Sequence, residues 1–259
     1  MKNDNDKKNK LKNYFDFLVV MTDKEIKARY KRAVFGFLWV ILNPLFQMLV
    51  IGLIFSYFIN IPNYFLFLFT GLLPWEFFSL SLSKATSSIV YERSLLKKAK
   101  FPIEAIPISI VLANFFHLLA SFGLLFIFLG LTGKLLTINI AWLLLALVWL
   151  LVITIGLSLL TASLQVRYRD ISFFIKALLM VWFYATPVMY SIKLAPQSLH
   201  DWFKLNPLAS LIELFHMAIL GQESISYGLL TANLGVSILI VFVGIWVFKK
   251  QYKYFNDWL

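Results

Sequence analysis

The sequence predicts an all-α membrane protein with six transmembrane helices, and three observations carry that prediction. Mean hydropathy is +0.79, and 60% of residues are hydrophobic with only 14% charged, whereas soluble domains carry roughly 25% charged residues. Uncharged runs long enough to cross a ~30 Å hydrocarbon core recur along the 259 residues. Charged islands separate those runs at alternate loops, which is how topology is written into a polytopic chain.

Residues 1–33 form a cytoplasmic section ahead of the spans. The first 13, MKNDNDKKNKLKN, are polar and lysine-rich without an adjoining apolar core or small-residue cleavage site, so they read as a frayed tail and not a signal peptide. Thr22-Asp23-Lys24-Glu25 has the pattern of a capping box, a hydroxyl followed three residues on by a carboxylate. A basic helix is expected from there through Lys27, Arg29, Lys31 and Arg32. With Phe15, Phe17 and Leu18 before it, the stretch has the make-up of an amphipathic element on the inner membrane surface, cations toward headgroups and rings in the lipid boundary. A solvated basic linker is the alternative.

The six spans are expected at 34–59, 64–83, 103–131, 139–166, 171–190 and 226–248, within a membrane domain of residues 34–248. Asn60-Ile61-Pro62-Asn63 is a turn composition that joins the first two as a tight hairpin. Lys84 to Pro102, KATSSIVYERSLLKKAKFP, is a charged island before the third, and Thr132-Gly133-Lys134 divides the third from the fourth. Arg167-Tyr168-Arg169-Asp170 is a second charged island. The fifth span is expected to kink or end at Thr186, because the residue before Pro187 is pushed out of helical geometry. Residues 249–259 form a basic tail.

Orientation follows from the cations. All but three of the 24 Lys and Arg lie on the side holding both termini and both islands, the exceptions being Lys134, Lys193 and Lys204. Both termini are therefore expected in the cytoplasm. The formal net charge of +11 is then a topology signal, and no nucleic-acid partner is implied.

Residues 191–223, on the outer side, are neither span nor simple loop. A first short helix is expected near Pro196, carrying Leu199, Trp202 and Phe203. A second is expected with Asn206 as its cap, Pro207 at its first position and Gly221 past its end. At ~1.5 Å per residue it reaches only about 21 Å, too short to span, so it is expected to be re-entrant or interfacial. An outer gate and a packing lid are both open for it, and it contains Glu213 and His216 three residues apart.

Several chemistries find no support. Gly130-Leu131-Thr132-Gly133-Lys134 lacks the Walker A spacing, so ATP hydrolysis on this chain is not expected. His117, His200 and His216 have no ligand spacing, and with no cysteines neither metal sites nor disulfides are expected. Glu76 follows Pro74-Trp75 inside the second span and should face a cavity or a partner, lining a passage or making a structural hydrogen bond.

The ordered motifs LVVMTDKEIKARYKRAVFGFLWVILNP (18–44), FTGLLPWEFF (69–78), LLKKAKFPIEAIP (95–107), RYRDI (167–171), FYATPVMY (183–190) and LNPLASLIELF (205–215) resemble the permease subunit of bacterial ABC exporters for lipid-linked polysaccharides, including O-antigen, teichoic acid and capsular polymers. The resemblance runs from about Phe17 to the C-terminus. One departure is Arg167-Tyr168, where family members usually show two aromatics before Arg-Asp.

The resemblance implies a homodimer in the bacterial plasma (inner) membrane, bound to two copies of an ATP-binding cassette subunit that hold the ATP and magnesium; this chain itself would carry no cofactor. It implies an undecaprenyl-linked polysaccharide as substrate and membrane lipids around the chain. Tyr14 to Arg32 would be the interface helix, including Lys24. Ser88, Tyr91, Glu92, Arg93, Leu95, Leu96, Lys97 and Lys98 would form the coupling helix seated in the ATPase. Trp39, Trp75 and Tyr184 would line the translocation passage, which Glu76 joins on the reading of its place in the second span given above, and Trp202, Pro207, Glu213 and His216 would belong to the outer gate. Alternatives are a drug or peptide exporter of the same fold, a polyprenyl-linked membrane enzyme, and a structural or receptor protein.

Overall fold

A computed structural model describes residues 2–30, 35–98, 101–131, 133, 138–221 and 226–255. Every regular element among them is helical. The ten α-helices are α1 (Lys2–Tyr30), α2 (Trp39–Phe55), α3 (Tyr64–Tyr91), α4 (Arg93–Lys98), α5 (Ala105–Leu131), α6 (Ile140–Arg167), α7 (Ile171–Ala185), α8 (His200–Leu205), α9 (Ala209–Leu220) and α10 (Tyr227–Gln251).

Four of these are long and apolar enough to cross a membrane: α3, α5, α6 and α10. The α8–α9 pair, bent by 99°, would make a fifth if counted as one broken span. The two other expected spans are shorter: α2 has 17 residues and α7 has 15. At ~1.5 Å per residue they reach about 26 and 22 Å, below a ~30 Å hydrocarbon core. The stop of α7 has the anticipated cause, since Thr186 adopts extended geometry (φ −108°, ψ 139°) directly before Pro187.

α3 is the central pillar. It packs against α2, α5, α6, α7 and α9, and Phe67, Leu68, Leu72, Phe78 and Leu82 along it are fully buried. The main core closes around them with Leu150 and Ile153 of α6 and Leu211 and Phe215 of α9. A second apolar cluster at one end joins Met21, Ile89, Ile106, Val166, Phe248 and Phe255. The α1 helix, at Met21, and the C-terminal segment, at Phe248 and Phe255, therefore meet at the same end of the bundle.

Backbone contact replaces side-chain filling between α6 and α10. A Cβ on Gly244 would collide with the carbonyl oxygen of Gly156, so the two helices approach as closely as small residues permit. Polar groups inside are tied across helices. Thr86 Oγ1 donates to Thr161 Oγ1 at 2.9 Å, and Trp149 Nε1 donates to Ser237 Oγ at 2.9 Å.

Two local expectations are corrected. The first residues are not a frayed tail, because α1 is continuous from Lys2 to Tyr30. Thr22 is consequently no cap: its hydroxyl donates to Leu18 O at 2.7 Å, one turn back in the same helix. The second charged island also differs in part, for α6 runs through its Arg167 and stops at Tyr168.

Candidate functional site

The charged island after α3 forms an elbow. α3 carries its helical geometry well past the last uncharged turn to Tyr91, and Glu92 (φ −88°, ψ 18°) breaks it before the six-residue α4. The expected coupling helix is thus divided between two elements. Ser88 is buried and donates to Ala85 O, so it packs inward. Tyr91, 82% exposed, points outward with Arg93, whereas Leu95 packs on the lower apolar cluster. The side chains of Leu96, Lys97 and Lys98, like Lys31 and Arg32 before α2, lie outside the described residues.

α1 is held against this elbow. Lys24 Nζ lies 2.6 Å from Glu92 Oε1, an ion pair between segments far apart in sequence. Phe17 stacks on Phe101 with ring centroids 4.6 Å apart. Lys27 instead pairs with Asp23 at 2.6 Å along its own helix, and Phe15 is exposed. The Tyr14 hydroxyl is pushed up in pKa by burial and secondarily by the nearby Glu104 carboxylate.

Arg29 departs from the expected role. Its guanidinium turns inward and donates to Asn114 Oδ1 at 3.0 Å, so it does not reach for headgroups at the inner surface. Asn114 lies nine residues into α5, about 14 Å along its axis. The helical spacing Tyr14, Leu18, Thr22, Glu25, Arg29 already places Arg29 on the partly buried face of α1. That periodicity is the signal by which the contact could have been found.

A cavity of about 210 Å³ opens where Arg29 ends, between α2, α3 and α5. Trp39 and Asn43 of α2, Glu76 of α3, and Asn114 and His117 of α5 line it with Arg29. Two of the expected passage residues, Trp39 and Glu76, are therefore brought together here. The other two lie elsewhere: Trp75 is 6% exposed and packs on Phe78 and Phe183, and Tyr184 is 62% exposed on α7.

At the opposite end, α8 and α9 form a bent cap. Asn206 ends α8, and its Oδ1 accepts from Leu208 N at 3.1 Å and from Trp182 Nε1 at 2.9 Å. Helix α9 begins two residues after Pro207 and ends at Gly221, whose positive φ of 64° closes it in the left-handed region as expected. Glu213 accepts from Ile192 N at 3.1 Å, holding the loop after α7. His216 is fully buried, stacked on Phe67 with centroids 3.8 Å apart, and its Nε2 donates to Phe67 O at 3.1 Å. Pro207 is buried, while Trp202 is 69% exposed beside a 580 Å³ hollow that it shares with Tyr184.

Asn233 of α10 is the hub that sequence reasoning passed over. Its Oδ1 accepts from Ser210 N at 2.9 Å, and its Nδ2 donates to Phe203 O and Lys204 O at 2.9 and 2.8 Å. One amide thus fixes the bend between α8 and α9. Among the described residues no group of three or more His, Cys, Asp or Glu is placed to hold a metal ion.

Comparison with known proteins adds an independent line. Residues 17–220 match the family model described as ABC-2 type transporter. Two O-antigen export system permease proteins RfbA of Klebsiella pneumoniae are 34% and 32% identical over 248 residues, covering 93% of this chain and 94% of each relative. The RfbA permease of Myxococcus xanthus is 31% identical over 248 residues, covering 94% of this chain and 95% of the relative.

Proposed function

Because the chain belongs to the ABC-2 type transporter family, we propose that it is the membrane permease of an ATP-driven exporter carrying an undecaprenyl-linked polysaccharide, of O-antigen or teichoic-acid type, to the outer face of the bacterial plasma membrane. The observation that carries this reading is the end-to-end similarity to O-antigen export permeases, which leaves almost no part of either chain unmatched.

The architecture proposed is a homodimer of six-span subunits with both termini cytoplasmic. Helices α2 and α7 would be the short first and fifth spans, completed by flanking turns. Each leaves apolar side chains exposed, Leu49 and Leu53 on α2 and Met180 and Val181 on α7, as faces for lipid or a second copy. Two copies of an ATP-binding cassette subunit would bind at the end bearing both termini, holding ATP and magnesium.

The mechanical path then follows from the elbow. Movement of an ATPase surface against Tyr91, Arg93 and α4 would turn the end of α3, and α3 packs on α2, α5, α6, α7 and α9. Lys24–Glu92 would transmit the same movement to α1. At the outer end, α9 rests on α3 through His216 and Phe67, so the same pillar would reach the gate carrying Trp202, Pro207, Glu213 and His216. Trp39 and Glu76, with Tyr184, would line the polymer's path, and Trp75 would support it from behind by packing on Phe78 and Phe183.

The test is complementation in a cell that makes a lipid-linked polymer but has lost its own permease. Expression of this chain with its ATPase should restore surface polymer and clear the cytoplasmic pool of lipid-linked chains. Restored efflux of drugs or peptides with the polymer still trapped inside would overturn the reading.

A further inference from the structure

We propose that Asn206 is a positioning residue of the outer passage: its side-chain amide fastens the α8–α9 bend to the end of α7, so that Trp202 on α8 and Tyr184 on α7 hold a fixed relation around the hollow they share. The inference deepens the export reading and rests on it, because a passage at Tyr184 and a gate at Trp202 belong to that reading.

Helix α7 ends where its own hydrogen bonding stops. The last four carbonyls of a helix have no partner within it, and Pro187 prevents continuation by pushing Thr186 into extended geometry. Each of the four carbonyls is answered separately. The Thr186 hydroxyl donates to Trp182 O at 2.8 Å, the Thr186 N–H to Phe183 O at 3.3 Å, and the Tyr190 hydroxyl to Tyr184 O at 3.0 Å. The fourth, Ala185 O, accepts from Asn206 Nδ2 at 3.0 Å, 21 residues further on. Three donors thus come from the chain leaving α7, and the fourth comes from the gate.

The amide is filled on both sides. Its Nδ2 also donates to Thr186 Oγ1 at 3.1 Å, and its Oδ1 accepts from Trp182 Nε1 at 2.9 Å and from Leu208 N at 3.1 Å. Two bonds given and two received are the full capacity of a carboxamide. Their direction is fixed, since an indole N–H and a backbone N–H can only donate and the Ala185 carbonyl can only accept. Three of the four go to α7 and the residue after it. The Asn206 backbone meanwhile joins the two gate helices, its N–H donating to Phe203 O at 3.2 Å and its C=O accepting from Ala209 N at 3.0 Å.

A local turn needs much less. The bond from Leu208 N to Oδ1 is the side-chain turn that asparagine and aspartate both make. The bond to Ala185 O needs a donor, and an aspartate would set an anionic oxygen against that carbonyl. Asn233 holds the other side of the bend to α10, through Phe203 O, Lys204 O and Ser210 N. The bend is therefore strung between α7 and α10 by two asparagines, and loss of one leaves the other attachment in place. Because Trp202 and Tyr184 line the same 580 Å³ hollow, the attachment to α7 sets its width.

The chain has no cysteine, so introduced cysteine pairs carry spin labels without background. The full-length chain in a lipid bilayer, diluted into unlabelled chain so that distances are within one copy, carries Phe173→Cys with Asp201→Cys to report α7 against α8. Phe242→Cys with Asp201→Cys reports α10 against α8, and all three positions are exposed. Wild type should give one narrow distance distribution for each pair. Asn206→Ala and Asn206→Asp should both broaden the α7 pair, leave the α10 pair narrow, and lower polymer exported with the partner ATPase about fivefold. An α7 distribution as narrow as wild type in Asn206→Asp is what a turn residue alone predicts and would overturn the proposal. Equal broadening of both pairs, the mark of a generally loosened fold, would overturn it too. Absence of polymer export by the unlabelled wild type would count against the export reading alone, because the distances decide the role of Asn206 without cargo.

Discussion

Lys24 Nζ donates to Glu92 Oε1 at 2.6 Å, fastening the long first helix to the residue at which α3 breaks into α4. The side chains are 47% and 27% exposed, so the pair contributes only about 0–1 kcal/mol to stability. Its value lies in where it acts. Lys24→Glu and Glu92→Lys should each lower polymer exported per ATP by about fivefold, and the double charge reversal should restore it. The check is export and hydrolysis measured on the same preparation. Failure of the double variant to recover would show that each residue acts alone.

Trp75 and Tyr184 separate packing from passage. Trp75→Ala empties a buried site and should cost about 3–5 kcal/mol, seen as a fall in Tm in detergent. Tyr184→Ala removes an exposed ring and should leave Tm nearly unchanged while slowing export of polymer. An equal fall in Tm for both would contradict the placement of Tyr184 on an open face.

Asn233→Leu removes the three hydrogen bonds that fix the α8–α9 bend and strands the Ser210 N–H and the Lys204 carbonyl, while Phe203 O keeps the Asn206 N–H. A loss of about 1–3 kcal/mol per stranded buried group is expected. Faster hydrogen exchange in α8 and α9 than in α5 is the readout. Uniform exchange across the bundle would show that the bend does not depend on this amide.

Gly244→Ala places a methyl against the Gly156 carbonyl and should destabilise the α6–α10 pair by about 1–3 kcal/mol. Gly235→Ala, with open space at that position, is the control and should be near neutral on this count. Thermal unfolding of the two variants side by side decides it.

Much of the architecture was legible because it is local or compositional. The hairpin at Asn60–Asn63 is marked by its turn residues, and Asn63 adopts the left-handed φ of 53° that asparagine tolerates. The end of α7 before Pro187 and the glycine stop at Gly221 are local rules obeyed. The capping box at Thr22 misled because the same four residue types fit a helix interior once α1 runs on from Lys2. The partners of Arg29 and Lys24 are 85 and 68 residues away, and sequence spacing gives the face a residue occupies but not what packs there. Asn114 and Asn233 were missed for a related reason: a neutral amide in an apolar run raises no charge signal, yet it must find partners once buried.

In the proposed mechanism, ATP hydrolysed on a partner subunit moves polymer through this chain by way of the elbow at Tyr91 to Leu95. The most direct measurement is polymer transport and ATP hydrolysis in one proteoliposome preparation of the chain with its ATPase, comparing wild type with Tyr91→Ala/Arg93→Ala, two exposed positions whose loss leaves the core intact. Hydrolysis should persist while transport falls about tenfold. Transport at the wild-type rate in the variant would contradict it.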